Sequence, residues 1–155
     1  MLKLAFYKGG KTFFDRVTRW RTNGVHTHVE LVFSDGVAFS SSQWDGGTRF
    51  KSIDFDPAKW DLVQVTLRRS VREANVRDWC SLQLGMKYDW RGILRFFAGR
   101  SGEEKRERWF CSEICGEALR RFGILPADLN PANMSPEDLF IAATAREGAI
   151  LKRAA

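Results

Sequence analysis

The chain has few of the residues that usually carry catalysis. Of its 155 residues only 2 are histidine and 3 are cysteine. His26 and His28 are therefore the only imidazole bases on offer, and Cys80, Cys111 and Cys115 are too few, and odd in number, to form a paired framework. An odd set without disulfide spacing points to free thiols and reducing surroundings. Nothing approaches the roughly 18 consecutive apolar residues of a membrane span. The opening run Met1 to Lys8 is too short in its apolar part for a secretory signal, which predicts a cytoplasmic protein. No internal repeat and no low-complexity tract occurs.

What is present fits a folded chain. Apolar residues make up 44% and charged residues 28%, which excludes disorder as the main state. The length suits one domain over residues 1–155, and a chain of about this size buries roughly two-thirds of its unfolded surface. Six Trp and 12 Phe point to an aromatic-rich core. The net charge of +6 would favour anionic partners (cell-wall polymers, membranes, nucleic acid) without choosing among them, and a solubilising surface explains it as well.

Residues 2–7 read as a short strand that ends at Gly9-Gly10. Phe13, Phe14, Val17 and Trp20 have helical spacing over 12–20. Residues 26–33 and 37–41 form a hairpin around Ser34-Asp35-Gly36, a strong turn signal. Further strands are expected at 48–54 and 60–67. Ser70 with Glu73 predicts a capping box, opening a helix with Val76, Trp79, Cys80 and Leu84 on one face and a stop at Gly85. The charged segment 99–108 reads as a surface loop and candidate lid. Cys111, Cys115, Leu119 and Phe122 mark a second helix, closed by Gly123. Ser135-Pro136-Glu137-Asp138 starts a third, with Ser as cap, Pro in the first turn and acids against the dipole. Strands gather in the first half and helices in the second, an α+β pattern.

In Thr27-His28-Val29-Glu30-Leu31-Val32-Phe33, alternation sends Val29, Leu31 and Phe33 to one face and His28 with Glu30 to the other. An imidazole beside a carboxylate on a partly open face is an environment that tunes a base. It is also what an ordinary polar sheet face looks like. Cys111 adds a nucleophile. It stands where a charged loop turns into an amphipathic helix, and there the positive end of the dipole and free amides favour a thiolate. The same amides can receive an oxyanion. A thiol so placed with a nearby imidazole makes a Cys–His acyl-transfer site. Cys80 and Cys115 lie mid-helix and read as buried core thiols.

The strand THVELVF, the turn SDG, the segment Gly85-Met86-Lys87-Tyr88-Asp89 and the helix opening WFCSEIC follow in that order. Together they resemble the circularly permuted branch of the NlpC-type papain-like cysteine peptidases, closest to the YiiX/YaeF-like group and its phage-borne relatives. The resemblance spans roughly residues 24–122. It implies a papain-like α+β core with an antiparallel sheet packed on the cysteine helix, and amide hydrolysis of peptidoglycan-type peptides or other N-acyl substrates, with cell-wall fragments among the partners. Carried over by position, Cys111 is the nucleophile, His28 the base, and Tyr88 lines the site and can help hold the oxyanion. The third member is Ser40 or Gln43, from the strand after the histidine strand, or Glu30, which shares a face with His28. A carboxylate stabilises an imidazolium best, which favours Glu30. His26 shares the His28 face by the two-residue period. His28 is preferred because it begins the regular alternation and fits the family's Thr/Ser-His-Val pattern, leaving His26 at a frayed edge.

This chemistry calls on no metal or organic cofactor. A zinc site from His26, His28, Cys111 and Cys115 has the right ligand types but not the usual close spacing. A non-enzymatic phage structural, interaction or nucleic-acid-binding protein is the other class. The aromatics fall at core periodicity and the basic residues alternate with acids, so no nucleic-acid partner is expected. Lipid acyl transfer or thioester hydrolysis could run on the same catalytic pair.

Overall fold

In the computed structural model, residues 1–10, 16, 19, 22–89 and 108–145 are described. Most of the expected helix over 12–20 and most of the expected lid 99–108 lie outside them. The rest forms a mixed α+β structure. Its strands are β1 (Lys3–Tyr7), β2 (His28–Val32), β3 (Val37–Ser42), β4 (Gly47–Ser52), β5 (Trp60–Gln64), β6 (Lys87–Tyr88) and β7 (Arg108–Trp109). Its helices among the described residues are α1 (Glu73–Leu82), α2 (Cys111–Arg121) and α3 (Pro136–Thr144), with a short 3-10 turn at Pro131–Asn133.

The strands form one sheet in the order β5-β1-β2-β3-β4-β6-β7, antiparallel throughout except for the parallel β6–β7 pair. The β2–β3 hairpin turns at Ser34-Asp35-Gly36 as expected. Gly36 takes a φ of +84°, which a side chain would strain, and Asp35 accepts a hydrogen bond from the Val37 amide at 3.1 Å. One sheet face packs on α2, which lies across β2 and β3. The core there joins Leu4, Phe6, Val29, Leu31 and Phe39 to Ile114, Cys115, Leu119, Leu139 and Phe140. Each such side chain contributes about 1.5–3 kcal/mol by leaving water. A smaller cluster of Ala5, Val32 and Ala38, covered by Ile53, Phe55, Trp60 and Leu62, lies apart from this core.

Two local expectations give way to tertiary contacts. Ser70 does not cap α1. The helix begins behind Arg72, whose amide donates to Asn75 Oδ1 at 3.1 Å, while Glu73 accepts the Ser34 amide of the hairpin turn at 2.6 Å. A donor across the fold has outcompeted the local cap. Leu84 is not on the buried stripe either. The helix stops at Leu82, and Leu84 sits half exposed in the turn before Gly85. Val76 and Cys80 are buried as their spacing requires. In α3 the cap is as read: Ser135 Oγ accepts the Asp138 amide, and Asp138 accepts the Ser135 amide.

His26 is the larger correction. It is 3% exposed, not frayed, and it lies before the β2 ladder begins. Its ring packs against Phe6 and Phe140 at 5.4 and 4.4 Å. Nδ1 lies 2.8 Å from Glu137 Oε2 and Nε2 3.0 Å from Asp61 Oδ2. The same Glu137 oxygen accepts the Val25 and His26 amides. This ties the chain entering β2 to α3 on one side and β5 on the other.

Burial pushes the Glu137 carboxyl up, but the two amides and the His26 ring outweigh it and hold it below its usual range. Asp61 is held low in the same way, with Lys8 and His26 outweighing its burial. A lowered folded value means the stabilisation is present above the ordinary carboxylate value and is lost as pH falls. Glu137→Ala is therefore expected to cost about 2–3 kcal/mol at neutral pH. In urea melts its stability should converge on the wild type as pH falls below the ordinary carboxylate range and through the lowered folded value; a constant gap down to acid pH would contradict this.

Candidate active site

Alternation along β2 places His28 and Glu30 on one face, and the fold adds what the strand alone could not. His28 Nε2 lies 2.7 Å from Glu30 Oε1. The expected open face is only half right, because Glu30 is 1% exposed while His28 is half-buried. Arg49 from β4 seals the carboxylate. Its two terminal nitrogens donate to both Glu30 oxygens at 2.7 and 2.6 Å, a bidentate pair. Arg49 Nε donates in turn to Asp45 at 2.8 Å, and Asp45 also accepts Lys51 Nζ at 2.8 Å. Burial opposes the Glu30 charge, but Arg49 and His28 overcome it and keep the carboxyl below its usual range. Lys51 and Arg49 hold the Asp45 carboxyl at about 2 against its burial.

Cys111 is the first residue of α2, and its thiol lies within hydrogen-bonding reach of His28. Burial works against the charged imidazole, but the charge and hydrogen bond of Cys111, with those of Glu30, raise His28 to about 10. A line Cys111–His28–Glu30–Arg49–Asp45 thus runs from the helix start into the sheet. Sequence reasoning reached the first three members and missed the last two. The available signal was that Arg49 and Lys51 share one face of β4, opposite Phe50.

Tyr88 is brought beside this pair by β6. Gly47 makes the approach possible, because a Cβ there would stand 2.0 Å from the Met86 carbonyl oxygen. Burial, the nearby Cys111 charge and Asp89 all push the Tyr88 phenol above its usual value, so it keeps its proton through the neutral range. A cavity of about 410 Å³ opens at His28, and Tyr88, Gln43 and Trp44 are among the residues lining it.

Ser40 does not join His28. Its hydroxyl donates to the Val29 carbonyl at 2.7 Å and lies 4.0 Å from the Cys115 sulfur. Gln43 lies in the turn after β3, at the cavity wall, with Glu30 occupying the position behind the imidazole. The four residues weighed for zinc do not converge. His26 is held by Glu137 and Asp61, and the Cys115 thiol points at the Val29 and Phe39 carbonyls. Burial pushes the Cys80 thiol up to about 12 and Cys115 well above its usual value, as buried core thiols require. No described helix is long and apolar enough to cross a membrane.

A scan against family models finds none that matches the chain, and a search of curated proteins finds no match either.

Proposed function

We propose that the protein is a cysteine hydrolase of the permuted papain-like kind, cleaving an amide through an acyl-enzyme on Cys111. The observation that carries this is the meeting of Cys111, at the start of α2, with an imidazole backed by a buried carboxylate. The chain order supports it too, with the histidine strand first and the cysteine helix later, packed on the same sheet. His28 accepts the thiol proton, and the Cys111 sulfur attacks the substrate carbonyl. The amides at the start of α2 receive the growing oxyanion, with the protonated Tyr88 hydroxyl as a further donor. The C–N bond breaks and His28 gives its proton to the leaving amine. Water, deprotonated by His28, then releases the acid and restores the thiol. Glu30 holds the ring in place and balances its charge, and Arg49 fixes Glu30. A peptidoglycan-type peptide or another N-acyl compound is the substrate class in this reading.

The test uses p-nitrophenyl acetate as a generic acyl donor. The expected result is a stoichiometric burst of nitrophenol with the acetyl group mapped to Cys111 by mass spectrometry, followed by slow turnover. Acetylation elsewhere, or none, would overturn the proposal.

A further inference from the structure

Strand register sets three rings side by side on the active face. Tyr7 pairs with His28 on one side and with Trp60 on the other. The Tyr7 and Trp60 rings are 4.9 Å apart, and Trp60 stands edge-on to the His28 ring at 6.4 Å. Across the turn between β3 and β4, Trp44 lines the same cavity and is 81% exposed. A Trp held that far out in water on the wall shared with His28 covers no part of the described core. Ile53 adds an aliphatic surface to the cavity wall.

The charged side chains of the wall are occupied with one another. Glu30 is shared by Arg49 and His28, and Asp45 by Arg49 and Lys51. Each cation of the described wall has its carboxylate and each carboxylate its cation. A charged substrate group entering here would compete with existing pairs, whereas an uncharged group with a flat face would meet indole and phenol rings. At about 410 Å³ the cavity has room for a ring-sized group beside His28, at the small end of the roughly 300–1,000 Å³ typical of ligand sites.

We propose that Trp44, Tyr7 and Trp60 form a subsite that selects substrates bearing an uncharged, flat-faced group next to the scissile carbonyl, either an aromatic ring or the apolar face of a sugar ring. This rests on the reading of Cys111 and His28 as a hydrolase pair. Selection comes from stacking, with no ionic contact to the group.

Four chloroacetamides of graded structure test it on the full chain: chloroacetamide itself, N-benzylchloroacetamide, its 4-carboxylate analogue and N-chloroacetylglucosamine. Each alkylates the thiol by displacement of chloride, and the readout is the saturable rate of Cys111 labelling. The benzyl or the glucosamine reagent, whichever source fits, should label Cys111 at least about 10-fold faster than chloroacetamide at low concentration, a difference one stacked ring can supply. The carboxylate analogue should lose most of that gain. Trp44→Ala should reduce the gain several-fold while leaving the melting temperature unchanged, since the side chain is exposed. Equal rates for all four reagents, a preference for the carboxylate, or a gain untouched by Trp44→Ala would overturn the subsite. If chloroacetamide itself shows no dependence on His28, the hydrolase reading fails and the subsite falls with it. Dependence on His28 without discrimination among the reagents overturns the subsite alone.

Discussion

Alanine in place of Cys111 is expected to lower acetyl transfer from p-nitrophenyl acetate by about 10³-fold or more, and alanine in place of His28 nearly as much. A thiol without its base and a base without its thiol are both idle, so the double variant should be scarcely worse than either single one. The loss should be chemical rather than structural. Cys111 is buried at the edge of the core, and removing one sulfur there costs about 1 kcal/mol. Folded variants without acetyl transfer fit the account. A Cys111→Ala protein that keeps its burst would show that another group carries the chemistry.

Arg49→Met should be the most damaging change to the fold among the site residues, costing about 3–5 kcal/mol. It leaves the Glu30 carboxylate buried with His28 as its remaining hydrogen-bond partner among the contacts described above. That is a large share of the roughly 5–15 kcal/mol that holds a domain together. Replacing both members, in Glu30→Leu with Arg49→Met, should cost less than Arg49→Met alone, because no charge is then stranded. The pH dependence has a definite sign. Glu30 has a lowered folded value, so its contribution is in place above the ordinary carboxylate value near 4.5 and disappears as pH falls through the lowered one. Without Arg49 the stranded carboxylate's folded value should rise, so Arg49→Met should regain part of its lost stability as pH falls and Glu30 takes up a proton. Urea melts of the two variants across pH 4 to 8 read both effects. A double variant less stable than the single one would contradict the stranded-charge explanation.

The parts of the site legible in the sequence were those set by local geometry. The period of two put His28 and Glu30 on one face, and the helix stripe beginning at Cys111 put a thiol at a helix start. What escaped was carried by pairing across the sheet or between distant segments. Arg49 reaches Glu30 only because β4 folds back along β3 beside β2, an order that alternation within one strand does not reveal. The same period misled at His26. The ladder starts at His28, so His26 lies outside the alternation, and its carboxylate partners are 111 and 35 positions away. Glu73 shows the same competition, its side chain taken by the hairpin turn 39 positions away rather than by its own helix cap. The strand carrying Tyr88 is two residues long, too short for any periodicity to show.

The most direct test is site-resolved alkylation of the three cysteines by iodoacetamide across pH, in the wild type and in His28→Ala. Cys80 and Cys115, buried and pushed up, should stay inert at neutral pH. Cys111 should react at about pH 6 well ahead of a free thiol of pKa near 8.5, and His28→Ala should abolish that lead. Because His28 is raised to about 10, its imidazole should stay protonated through neutral pH and lose its proton only as pH rises through that value. A Cys111 that reacts no faster than a free thiol, or equally fast without His28, would contradict the Cys–His site on which the proposed function stands.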